Sequence, residues 1–159
     1  MICTDVIEFA KALPNIGGVV GLDLGTVTIG VAGSDSLRTA ASPITTIKRK
    51  KFTLDANQLI TILNERDVKG IVLGLPLNMD GSEGPRAQAT RAFARNFEKL
   101  SPLPITYWDE RLSTVAAERV LIAADTSRKR RAEVIDQVAA SYILQGLLDR
   151  LAHLKASDQ

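Results

Sequence analysis

The chain has 159 residues, 45% hydrophobic and 24% charged, with a formal net charge of +2, the usage of one soluble globular domain with no room for two. That composition excludes disorder, a collagen-like repeat and a coiled-coil rod, and a domain of this size buries roughly 70% of its unfolded surface without a disulfide or structural metal. A single cysteine, Cys3, and a single histidine, His153, exclude a disulfide framework, a Cys/His zinc site and any nucleophile system that turns on a central histidine.

No apolar run reaches the roughly 18 residues of a membrane span. Asp5, Glu8 and Lys11 stand where a signal peptide would be apolar, so a cytoplasmic protein without membrane contact is expected. Residues 4–13 read as a short amphipathic helix, N-capped by Thr4 and stopped by Pro14. A buried strand follows at 19–24, with 28–32 as its hairpin partner and 44–47 as a third strand. Next comes the basic run Lys48, Arg49, Lys50 and Lys51. The apolar stripe of 54–65 predicts a helix and 70–74 another buried strand. Residues 75–85 have loop chemistry throughout, and Pro85 suits the first turn of a helix reaching about Lys99. A strand at 105–108 leads into Asp109, Glu110 and Arg111. Ser113 suits the N-cap of a helix through Ala116, Ala117, Val120 and Leu121. A second basic run, Arg128, Lys129, Arg130 and Arg131, precedes a last helix from about Glu133 to Leu154. Three opening strands followed by alternating helices and strands predict a mixed α/β sheet with helices on both faces. The chain divides into a helical extension (1–16), one domain (17–154) and a tail (155–159).

Asp23 is the most informative residue, because a carboxylate inside an apolar strand costs several kcal/mol unless it is paired, protonated or bound to a metal. Backbone N–H groups of the Gly25-Thr26 turn or a nearby arginine would compensate it structurally; a divalent cation would do so functionally. Asp109 and Glu110 sit where a strand ends, the place where open α/β sheets hold ligands, and alternation lets only one of them face the Asp23 pocket. Asp136 shares a helix face with Ala139, Ala140, Ile143 and Leu147, although a carboxylate in the first turns of a helix is also explained by the helix dipole. Oxygen donors without histidine or cysteine select Mg²⁺ or Mn²⁺. Three or four convergent carboxylates can hold two such ions about 4 Å apart, clamping the attacking and leaving oxygens of a phosphodiester displacement. The two basic runs are candidate phosphate tracks.

Four blocks together resemble the YqgF family of bacterial proteins, described both as Holliday junction resolvases and as nucleases of the small-subunit ribosomal RNA precursor. They are Gly21-Leu22-Asp23-Leu24-Gly25-Thr26-Val27-Thr28-Ile29-Gly30-Val31-Ala32, Gly74-Leu75-Pro76-Leu77-Asn78-Met79-Asp80-Gly81-Ser82, Asp109-Glu110-Arg111-Leu112-Ser113-Thr114, and Ile135-Asp136-Gln137-Val138-Ala139-Ala140-Ser141-Tyr142-Ile143-Leu144-Gln145. The resemblance runs from about Gly17 to Leu148. It implies an RNase H-like fold, a five-stranded mixed sheet flanked by helices, with an acidic two-metal site. Asp23 matches the first-strand acid, Glu110 the second, with Asp109 its rival, and Asp136 the acid of the C-terminal helix. Thr26, Thr28, Asn78 and Arg111 would flank the site and orient the phosphate. Where family members often carry Lys after the helix acid, this chain has Gln137, which implies a weaker phosphate contact.

The expected function is that of a metal-dependent endonuclease maturing the 5′ end of the 16S rRNA precursor. Its partners are nucleic acid and ribosome-assembly factors, and it acts as monomer or homodimer. Two readings stand beside it: a Holliday junction resolvase acting on branched DNA, which needs two active sites and hence a dimer, and a non-catalytic RNA- or partner-binding factor on the same scaffold.

Overall fold

The structure, a computed structural model, describes residues 1–112 and 128–157. One sheet is built from β1 (Gly18–Leu24), β2 (Thr28–Ser34), β3 (Ala41–Lys48), β4 (Val68–Leu75) and β5 (Ile105–Asp109), in the order β3-β2-β1-β4-β5. β1 to β3 form an antiparallel meander, while β4 runs parallel to β1 and β5 parallel to β4. The change of sense follows from the connections: tight turns join the first three strands, and helices carry the chain back for the parallel pairs.

Those helices, α2 (Phe52–Glu65) and α3 (Pro85–Glu98), cover one face. Leu22, Ile29, Leu59, Leu73, Phe93 and Phe97 form the core there. The other face carries α1 (Val6–Ala12) and the 30-residue α4 (Arg128–Ser157), with Phe9, Val19, Val72, Ala140, Ile143 and Leu144 buried between. Pleating sorts β1 accordingly, sending Val20, Leu22 and Leu24 to the first core and Val19, Gly21 and Asp23 to the second. The expected mixed α/β sheet with helices on both faces is therefore the observed one.

Several boundaries differ from the sequence reading. The N-cap of α1 is Asp5, whose carboxylate accepts from the Glu8 N–H at 2.8 Å. Thr4 lies one residue too early, and its N–H and hydroxyl both donate to the Glu8 carboxylate, at 2.9 and 2.6 Å. Pro14 forces Leu13 into an extended conformation, which ends the helix. The α1 segment is part of the core: Phe9 is fully buried, and the main chain at Ile2 bridges to Ile105. The last helix starts at Arg128, not Glu133, and continues to Ser157, so the second basic run opens it and residues 155–157 extend it. The expected Ser113 cap and the helix through Leu121 lie outside the described residues, as do the side chains of Arg128, Lys129, Arg130 and Arg131.

Candidate active site

Asp23, near the C-terminal end of β1, is only 7% exposed. Its two lateral neighbours in the sheet lack side chains. Across the antiparallel ladder it pairs with Gly30 of β2, and one step beyond the parallel pair Leu22–Leu73 it stands beside Gly74 of β4. A residue carrying another acid lies close over each bare position. A methyl group on Gly30 would lie 1.9 Å from the Asp136 carbonyl oxygen, so the backbone of α4 rests directly on β2 at Asp136. A methyl group on Gly74 would lie 2.4 Å from Ile143 Cδ1 and 2.7 Å from Glu110 Oε1, so that carboxylate shares the groove over β4 with Ile143. Asp23, Glu110 and Asp136, far apart in the chain, thus share the α4 face at one end of the sheet.

The Asp109–Glu110 alternative follows the pleat. Gly74 is in register with Trp108 and Leu75 with Asp109, so Asp109 leaves the strand toward the opposite face. Its carboxylate is held by Arg111, with Nη2 donating at 2.7 Å and Nε at 3.0 Å, which keeps the Asp109 pKa below its ordinary value. Glu110 opens a 3₁₀ turn, Glu110–Leu112, which brings its side chain back over Gly74. Arg111 also donates to the Met79 carbonyl at 3.2 Å, and so ties the end of β5 to the loop after β4. In that loop the exposed Asn78 donates Nδ2 to Ser82 Oγ at 2.9 Å, and Asp80 accepts from the Ser82 N–H and hydroxyl. Of the residues expected to orient substrate, Arg111 and Asn78 are thus engaged within the protein, Arg111 as a clamp and Asn78 in a turn.

Asp136 is the ninth residue of α4, too deep for the dipole explanation, which fades within the first turn. Its neighbours Ala139, Ala140, Ile143 and Leu147 are all buried, as the helical spacing predicts. One Asp136 oxygen accepts a short hydrogen bond from the Thr28 hydroxyl. Thr26 is exposed in the β1–β2 turn. Of the first basic run, Lys48, Lys50 and Lys51 are exposed, whereas Arg49 turns inward: Nη1 donates to Gly25 O at 2.7 Å and Nε lies 3.9 Å from Asp55. One residue near the site had no distinguishing sequence signal. Arg86, in the first turn of α3, donates Nη2 to Leu24 O at 2.8 Å, on the residue after Asp23.

The acids offer only carboxylate oxygens, the donor type that suits Mg²⁺ or Mn²⁺. Among the described residues no three such side chains are already gathered into a ligand set. The donor chemistry and the shared face suit a hard divalent ion, which Asp136 could meet with the oxygen that does not accept from Thr28. Two cavities, of about 360 and 570 Å³, are lined by Leu63, Val68 and Leu100–Leu103, and by Leu13, Arg38 and Leu148–Lys155, at the far end of the sheet from the acids.

This order of strands with helices on both faces is an RNase H-like α/β domain. The structure titled "T. thermophilus RuvC in complex with Holliday junction substrate" is similar to it with a TM-score of 0.54, over 86% of this chain and 96% of that one, at 9% identity. The family model described as "RuvX: Holliday junction resolvase" matches residues 17–150, and the chain belongs to this RuvX (YqgF) family, as its four motifs implied. A protein of Paracoccus denitrificans named "Putative pre-16S rRNA nuclease" is 71% identical over 97% of this chain and 98% of its own length. A relative of the same name in Rhodobacter capsulatus is 68% identical over 97% of both chains.

Proposed function

We propose that the chain is a metal-dependent endonuclease that hydrolyses phosphodiester bonds in the 16S rRNA precursor and so matures its 5′ end. One observation carries the chemistry: three carboxylates from β1, the 3₁₀ turn and α4 sit on one face, and glycines on both sides of Asp23 let the segments carrying the other two approach it. The names of the high-identity relatives support the substrate. Asp23, Glu110 and Asp136 would hold one or two Mg²⁺ or Mn²⁺ ions. Such ions, when bound, supply an acidified water and a counter-charge for the leaving 3′ oxygen, so no histidine base is required.

The chain's own groups do the remaining work. Burial of Asp23 in the strand fixes its carboxylate with little conformational freedom. Thr28 orients Asp136 through its hydroxyl, holding one carboxylate oxygen and leaving the other for a cation. Arg111, held by Asp109, ties the Asn78–Ser82 turn to the end of β5, so a strand laid there meets a turn already formed. Lys48, Lys50 and Lys51 would track phosphates along one side.

The test is cleavage of labelled 16S rRNA precursor and of a four-way DNA junction, side by side, with Mg²⁺ or Mn²⁺ and with Asp23→Asn. Metal-dependent cutting of the precursor that disappears in the variant is the expected result. Equal background from wild type and variant on both substrates would overturn the nuclease reading in favour of a binding factor. The family description favours one second reading, a Holliday junction resolvase. Preferential symmetric nicking of the junction by a stable dimer would establish it instead.

A further inference from the structure

Leu24 and Gly25, the two residues after Asp23, each receive a guanidinium on their carbonyl: Arg86 on Leu24 and Arg49 on Gly25. The two arginines differ in what balances them. Arg49 has the buried Asp55 at 3.9 Å. Arg86 is half-buried, makes the one side-chain hydrogen bond to Leu24 O, and has no carboxylate within ion-pair distance among the described residues. Nearby arginines are fully engaged: Arg91 pairs with Glu83 at 2.6 Å and lies 4.7 Å over the Tyr107 ring, and Arg111 forks onto Asp109. Arg38, also without a carboxylate, commits Nε and Nη2 to two carbonyls.

A partly desolvated guanidinium with most donors unspent and no counter-charge is unfavourable by itself. Its planar fork matches the oxygens of a phosphate. The sheet end where it sits holds Asp23, and the exposed Lys48 is in register with Thr28 on the neighbouring strands. We propose that Arg86 binds a backbone phosphodiester next to the scissile one, with Arg49 fixing the turn beside it, so that Arg86 is a substrate-positioning residue of the site. The inference rests on the nucleic-acid reading above and names the group that registers the strand against Asp23.

The experiment measures binding of a fluorescein-labelled RNA hairpin against salt concentration, with EDTA present so that no strand is cut. The full chain is compared with Arg86→Gln, Arg86→Lys and Arg91→Gln. Arg86→Gln should lower the log–log salt slope by about 0.7–0.9 and weaken binding about tenfold at low salt. Arg86→Lys should keep most of the slope. Arg91→Gln removes the same unit of charge from the same helix, where it is already paired, and should leave the slope unchanged. Thermal melting of each variant separates lost binding from lost fold. An unchanged slope in a folded Arg86→Gln, or an equal drop in Arg91→Gln, overturns the proposal. If the wild type binds the hairpin with the predicted Arg86 dependence yet cuts nothing once metal is restored, the nuclease reading fails and Arg86 stands as a phosphate contact of the bound strand; if it does not bind, both fail.

Discussion

Gly30→Ala is the sharpest perturbation of the site, because it changes no charge and removes no ligand. The added methyl would lie 1.9 Å from the Asp136 carbonyl oxygen and 2.3 Å from its carbon, whereas ordinary contact begins at 3.4 Å. The obstacle is backbone, so no rotamer relieves it, and α4 must retreat from the sheet by about 1.5 Å at Asp136. Overpacking of this kind costs about 3 kcal/mol, which for a chain of this length lowers Tm by about 6–12 °C. The displaced carboxylate should reduce cleavage about 100-fold, the scale expected for a misplacement of about 1 Å in a catalytic array. Trp108, the sole tryptophan, packs against Gly146 of α4, so its fluorescence follows the seating of that helix during urea or thermal unfolding. Gly84→Ala is the control, since its methyl would meet only the Asn78 side chain at 3.7 Å. A Gly30→Ala protein with wild-type Tm and wild-type cutting would refute the close seating of α4 on β2, and with it the geometric basis of the site.

Other consequences are equally open to measurement. Thr28→Val removes the donor to Asp136 and should cost about 1–2 kcal/mol at neutral pH in urea denaturation, while Thr28→Ser should recover most of it. The folded pKa of Asp109 is depressed by Arg111, so its contribution is complete above the unfolded value near 3.9 and is lost as pH falls through the folded value. The Tm difference between wild type and Asp109→Asn should accordingly be constant above about pH 5 and shrink below it. Asp35, held at about 2 by the Ala40 N–H and the Thr39 hydroxyl, follows the same sign. The Tm gap to Asp35→Asn should be constant above about pH 5, shrink once the pH passes below the unfolded value near 3.9, and be largely lost by about pH 2.

Much of the fold was legible because its signals are local. The β-branched run at 19–24, the loop chemistry before Pro85 and the small-residue face of α4 each mark an element by composition or period. Asp23 was conspicuous for the same reason, being the one charge in an otherwise apolar strand. The choice between Asp109 and Glu110 needed more than alternation, since the 3₁₀ turn after β5 brings Glu110 back over Gly74. The depth of Asp136 was hidden because a run of four cations reads as a loop, yet here it opens a helix. Arg86 was missed altogether, since an arginine in the first turn of a helix resembles any solvated cation until its contact with Leu24 O is seen. Thr4 and Asp5 are both good caps, and one residue of register decided between them.

The two faces of the sheet differ in how much change they can absorb. Over β1, β2 and β4 the long helix lies against Gly21, Gly30 and Gly74, where added methyls would meet Leu144, Asp136 and Ile143 at 2.7 Å or less. At Gly30 the obstacle is the backbone of α4 itself, a fixed stop that no side chain can relieve. The opposite layer is built from Phe93, Phe97, Leu59 and their neighbours, whose volumes can be traded against one another. Efforts to harden this protein against heat therefore belong under α2 and α3, where a better-filled core would leave the spacing of the acids untouched.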